Sequence, residues 1–145
     1  MSLIGRKRPI ICQVTGSPLP DEATPDAATC ILIVEDEPIV AIDLQCVFED
    51  HGYIVLGPAR SVSMAFRLLN SRRPDLALLD ANLRGQPVTP VAERLLSHGI
   101  PYFLSSAYET SQLQVDEVLA NVENVRKPAQ SSSLLAAARR ALDGA

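Results

Sequence analysis

The chain has 145 residues, 47% of them hydrophobic and 21% charged, and a formal net charge of −4. That length suits one domain with a core of its own, and the acid excess argues against a nucleic-acid partner, which usually meets a basic face. Three cysteines, Cys12, Cys30 and Cys46, are an odd number without CxxC spacing, so no disulfide framework or structural zinc is expected.

Residues 1–29 are punctuated by Pro9, Pro18, Pro20 and Pro25 and sustain no apolar period. They read as an N-terminal tail or linker, with Ile10-Ile11 as residues that pack somewhere, and Arg6-Lys7-Arg8 as solvated charge. The apolar run near the N-terminus is too short for a signal-peptide core. No stretch approaches the roughly 20 apolar residues that cross a bilayer. A cytoplasmic protein with no membrane contact is expected.

The folded part, residues 30–145, alternates short apolar runs with amphipathic segments. Ile31–Val34 is a continuous aliphatic run, as in a strand covered on both faces. Pro38 suits the first turn of a helix, and Ile39, Ile42, Cys46 and Val47 follow at helical spacing, with Gly52 ending it. Tyr53–Leu56 is a second strand. Ser61 is a candidate N-cap for a helix with the stripe Val62, Ala65, Phe66 and Leu69, closed by Pro74. Leu76–Leu79 is a third strand ending at Asp80. Val88, Val91, Ala92, Leu95 and Leu96 form the next helical stripe, stopped by Gly99. Tyr102–Leu104 is a fourth strand ending in Ser105-Ser106. Val115, Val118, Leu119 and Val122 suggest a fourth helix, and Asn124–Arg126 a fifth strand before Lys127-Pro128. Ser131–Ser133 are positioned to cap a last helix carrying Leu134, Leu135, Ala138, Ala141 and Leu142. His51 and His98 each precede a glycine at a helix end and read as caps, not as chemistry.

Five β-then-α units predict a doubly wound, five-stranded parallel sheet with helices on both faces. In such sheets the ligand site lies beyond the carboxyl ends of the strands. Here the first strand delivers Glu35 and Asp36, the third Asp80, the fourth Ser106 and the fifth Lys127. Each residue alone reads as an ordinary loop, turn or surface residue. All five at one sheet edge read as a site. Clustered carboxylates repel one another, and a hard divalent cation such as Mg²⁺ prefers oxygen ligands. Mg²⁺ in turn invites a phosphate, whose other oxygens a serine and a lysine can hold.

Taken together, ILIVEDEP, LALLDANL, FLSSAY and VRKP resemble the ordered signature of response-regulator receiver domains of two-component signalling, over about residues 30–143. The spacings are similar too: 45 positions from Glu35 to Asp80 and 21 from Ser106 to Lys127. The resemblance implies a flavodoxin-like (βα)5 fold with Asp80 as phosphoacceptor, taking a phosphoryl group from a sensor histidine kinase or a histidine phosphotransfer protein. It implies Mg²⁺ held by Asp36, Asp80 and the backbone carbonyl of Asn82, with Glu35 acting through a water. Ser106 and Lys127 would hold phosphoryl oxygens, Asn82 and Tyr108 would tune hydrolysis, and the Lys127–Pro128 bond would be cis, as in many receivers. Glu37 has no family role and reads as part of the helix entry. The commoner aspartate and threonine are replaced by Glu35 and Ser106. Many receivers have Tyr or Phe three residues before the lysine, where this chain has Asn124, so the aromatic swing has no residue at its usual place.

The resulting expectation is a stand-alone receiver, not an enzyme, that switches a protein partner through its fourth-helix, fifth-strand and fifth-helix face, with a homodimer as one possible output and no nucleic acid. One alternative is an unphosphorylated receiver-like interaction module. An aspartyl phosphohydrolase is the other, and it would need a general acid where Asn82 stands.

Overall fold

The computed structural model describes residues 28–83, 85–107 and 117–144. The elements follow in chain order as β1 (Cys30–Val34), α1 (Pro38–Asp50), β2 (Ile54–Ala59), α2 (Val62–Ser71), β3 (Leu76–Leu79), β4 (Asn82–Leu83), β5 (Gln86–Pro87), α3 (Thr89–Ser97), β6 (Tyr102–Ser106), α4 (Glu117–Ala120), β7 (Asn124–Arg126) and α5 (Ser131–Asp143). Five strands form one parallel sheet in the order β2-β1-β3-β6-β7. This is the doubly wound arrangement the alternation predicted. Its order reverses between β1 and β3, so a ligand crevice is expected at their carboxyl ends.

The aliphatic runs become strands because both sheet faces are covered. Ile31 and Ile33 face one side with Leu44, Phe48, Leu76, Leu78, Phe103 and Leu134. Leu32, Val34, Ala77, Leu79 and Leu104 face the other with Val62, Val91 and Leu95. All five residues of β1 and all four of β3 are buried. Each buried Leu or Ile contributes about 1.5–3 kcal/mol relative to leaving it in water. Six of the nine residues in these two strands are Leu or Ile, and their burial anchors the strands that present the acids.

Helix α2 begins as expected, with Ser61 Oγ accepting a hydrogen bond from the Met64 amide at 3.1 Å. His51 and His98 are the C-caps of α1 and α3, and His51 Nδ1 lies 2.9 Å from the Val47 carbonyl. Glu37 is the N-cap of α1 and accepts the Ala41 amide through its own carbonyl. Among the described cysteines, Cys30 is buried and Cys46 exposed, and both are free thiols.

Several expectations need correction. On α1 the buried residues are Ala41, Leu44 and Phe48, while Ile39 and Ile42 are 79% and 60% exposed. Both sets have i, i+3, i+7 spacing, and an offset of two residues, about 200° around the helix, puts them on opposite faces. The larger Phe48 lies under the helix, edge-on to Tyr53 at 5.1 Å between ring centroids. On α3, Leu96 is 60% exposed and leaves the stripe. The second strand starts one residue later and runs to Ala59, through a Gly57 at φ 105° and a cis Gly57–Pro58 bond. A Cβ at Gly57 would stand 2.7 Å from the Ala59 amide nitrogen, so this close turn requires glycine. The N-cap of α5 is Gln130, without a side-chain cap bond, and Ser131–Ser133 lie inside the helix. The β4–β5 hairpin, Leu83 opposite Gln86, was not anticipated. Val115 lies outside the described residues, as does most of residues 1–29. No helix among the described residues is long and apolar enough to cross a membrane.

Candidate functional site

The parallel register carries the site. Val34 pairs with Leu79, and the Asp80 amide donates to the Val34 carbonyl at 2.9 Å, so the residues following β1 and β3 emerge side by side. The Glu35 amide donates to the Ala59 carbonyl, also at 2.9 Å. On the other side Ser106 ends β6, and its carbonyl accepts the Lys127 amide at 3.0 Å. Backbone hydrogen bonds thus fix Glu35, Asp80, Ser106 and Lys127 before any side chain acts.

The structure brings these side chains together. One ligand atom from each of Glu35, Asp36 and Asp80 lies within 4.8 Å of the others. Glu35 is 1% exposed, and Asp36 and Asp80 are each 8% exposed. Lys127 Nζ donates to Glu35 Oε1 at 2.8 Å and to Asp80 Oδ2 at 3.3 Å. Ser106 is fully buried at the end of its strand. The Lys127–Pro128 bond is cis, as the resemblance implied. Tyr108 lies outside the described residues. Asn82 opens β4, where its backbone pairs with Pro87.

Among the described residues, Lys127 stands against two of the three carboxylates in a largely water-excluded recess. Burial alone lowers the Lys127 ammonium, but hydrogen bonds and Coulombic attraction from Glu35 and Asp80 outweigh it and hold its pKa above the usual lysine value. Oxygen donors from three carboxylates within 4.8 Å fit a small hard cation, whose own oxygen distances are about 2.1 Å. The described residues whose oxygens the fold gathers for it are Glu35, Asp36 and Asp80.

One contact was missed by reasoning from the sequence. The resemblance implied that Glu35 acts through a metal-bound water; in the structure it also makes the shorter of the two contacts to Lys127. Its other oxygen, Oε2, accepts the Glu37 amide at 3.1 Å, which locks the carboxylate in place. No spacing rule links residues 92 positions apart. Only the strand order brings β1 and β7 residues to one point.

Comparison with known proteins agrees with this geometry. Residues 31–139 match the response regulator receiver domain family. Over 90 residues the chain is 37% identical to the phyllosphere-induced regulator PhyR of Methylorubrum extorquens, covering 60% of this chain and 34% of that protein. It superposes on a mutant of the anti-anti-sigma factor PhyR from Bartonella quintana with a TM-score of 0.71 at 28% identity, covering 81% of this chain and 49% of that one. The receiver domain of Erythrobacter litoralis PhyR in solution gives a TM-score of 0.72 at 26% identity, covering 80% and 91%. The chain thus spans about a third of the curated relative and about half of the first solved one. With five parallel strands in the receiver order and the acids, serine and lysine at their carboxyl ends, this chain belongs to the response regulator receiver domain family.

Proposed function

We propose that this receiver accepts a phosphoryl group on Asp80 from a histidine kinase or histidine phosphotransfer protein, and that the modification switches its binding to a protein partner. The observation that carries this reading is the Glu35, Asp36, Asp80 cluster with Lys127 bridging two of its members. An Asp80 carboxylate oxygen attacks the phosphorus of a phosphohistidine. The new O–P bond forms as the P–N bond breaks, and the imidazole leaves. Lys127 then pairs with a phosphoryl oxygen, and the Ser106 hydroxyl donates to another. Mg²⁺, when bound by Asp36, Asp80 and the Asn82 carbonyl, supplies positive charge against the roughly −2 that a phosphoryl group adds. Asn82 and Tyr108 are the positions we assign to tuning hydrolysis. The free thiols of Cys30 and Cys46 suit a reducing cytoplasm. On this reading residues 30–145 are the switch, and residues 1–29 precede it.

The direct test is incubation of the protein with acetyl phosphate and Mg²⁺, followed by intact mass. The native chain should gain one phosphoryl group and Asp80→Asn none. A native chain that gains nothing under these conditions, or an Asp80→Asn chain that gains as much, removes the proposal.

The phosphodonor needs a surface beside Asp80. The exposed face of α1 offers one, since Ile39 at 79% and Ile42 at 60% exposure follow directly on the acid loop. A donor helix packing there would bring its phosphohistidine to the open end of the sheet. Ile42→Asp should slow phosphoryl transfer from the cognate kinase at least tenfold and leave labelling by acetyl phosphate unchanged. Equal loss from both donors would place Ile42 in the chemistry instead of in docking.

The downstream face is assigned to α4, β7 and α5. The PhyR of Bartonella quintana is described as an anti-anti-sigma factor, a role of that protein as a whole, and this chain spans 49% of it. For this receiver we propose only protein binding that depends on phosphorylation of Asp80.

A further inference from the structure

At the sheet edge opposite the carboxylates, a groove of about 450 Å³ opens between the end of α3, the start of β6, the turn before β7 and the last turn of α5. Its lining is mainly apolar and includes Leu96, Ile100, Tyr102, Phe103, Val122 and Ala141. Leu96, 60% exposed, is a large aliphatic side chain left at this edge. The exposed Glu123 and Arg140 pair with each other at the rim, and the exposed Asp143 follows on α5.

The chain carries a segment suited to this groove. Residues 1–27 join the domain at Ala28 and Thr29, just before β1 begins at Cys30. Because the sheet is parallel, β1 begins at the same edge as β6 and β7, which is the edge holding the groove. Only β3 separates β1 from β6. At about 4.8 Å per strand, the gap is about 10 Å. Residues 15–29 can span up to about 50 Å when extended, so reach does not limit docking. Within residues 1–27 the densest apolar run is Ile10-Ile11-Cys12-Gln13-Val14, and Arg6-Lys7-Arg8 comes directly before it. Glu123 is already paired with Arg140, so the acid left for that basic triplet is the exposed Asp143, next to Gly144 of the lining.

We infer that Ile10–Val14 docks in cis into this groove, with Arg6-Lys7-Arg8 on the side of Asp143. Tethering presents the segment at an effective concentration of about 1 mM, so a weak intrinsic affinity is enough to keep it docked. A partner that binds the α4–β7–α5 end has to displace it. Docking does not depend on phosphorylation of Asp80.

The full chain with isoleucine methyls labelled tests this by NMR. Ile10 and Ile11 methyls should show cross-peaks to the Tyr102 ring at all protein concentrations. In the Ile10→Asp/Ile11→Asp variant of the whole chain, amide shifts should change at Leu96, Gly99, Ile100, Tyr102, Phe103, Val122 and Ala141, and stay fixed at Asp80. Ala141→Glu, on the groove side, should move the Ile10 and Ile11 methyls to random-coil positions. Random-coil methyls in the native chain would overturn the inference. So would cross-peaks that fade on dilution, which would make the occupant a second copy, or contacts that map to another face. The native spectrum decides the matter even if a variant fails to fold.

Discussion

Lys127→Ala is expected to abolish accumulation of the phosphorylated form and to destabilise the protein by about 2 kcal/mol. Lys127 Nζ is the cation at 2.8 Å from Glu35 and 3.3 Å from Asp80, and Glu35 is almost fully buried. Breaking a buried ion pair by removing one partner costs about 3–5 kcal/mol. The Lys127 side chain is 22% exposed, so solvent screening reduces the figure. For a domain of this size, 2 kcal/mol corresponds to about 5–10 °C in Tm. Magnesium should raise the Tm of Lys127→Ala more than that of the native chain, because no ammonium competes for the Glu35 and Asp80 oxygens. Thermal scans with and without MgCl2 check this, and an equal rise in Tm in both proteins would refute it.

The same lysine gives a pH dependence with a definite sign. Its pKa in the folded protein is raised, so its contribution is fully present below the unfolded value of about 10.4. That contribution is lost as pH rises through the folded value. Native stability should therefore fall in alkaline solution by an amount that Lys127→Ala does not show. Urea titrations at neutral pH and above pH 10 separate the two proteins.

Phe48→Ala is expected to cost about 3–5 kcal/mol, while Ile42→Ala should change stability by less than about 0.5 kcal/mol. Phe48 is 0% exposed, packed between α1 and the sheet against Tyr53, and its loss leaves a cavity beneath the helix. Ile42 is 60% exposed on the opposite face. Urea midpoints of the two variants measure the contrast directly. A large loss from Ile42→Ala with a small one from Phe48→Ala would mean that α1 is rotated by about half a turn. It would also remove the exposed face assigned to the phosphodonor.

That contrast shows where pattern reading stops. The spacing of 39, 42 and 46 and the spacing of 41, 44 and 48 are the same, so periodicity alone cannot choose between the stripes. The choice belongs to packing: the bulky Phe48 packs with Ile31 and Ile33, and Ile39, Ile42 and Cys46 are left to solvent. Leu96 on α3 shows the same limit, because a residue at the margin of a stripe is buried only where a neighbouring element covers it. The β4–β5 hairpin escaped notice because two-residue strands leave no period to detect.

The sequence by itself determined the order of strands and helices, because runs such as Ile31–Val34 and Leu76–Leu79 are too apolar to lie anywhere but in a doubly covered sheet. It also determined which residues stand at strand ends, since Glu35, Asp36, Asp80, Ser106 and Lys127 each follow or end such a run. Tertiary structure alone decided which side chains touch. Lys127 reaches Glu35 across 92 positions because β1 and β7 are parallel strands of one sheet with their carboxyl ends at the same edge. Contact across such a distance depends on strand order and register, which are global properties of the packed chain and are carried by no local stretch of it.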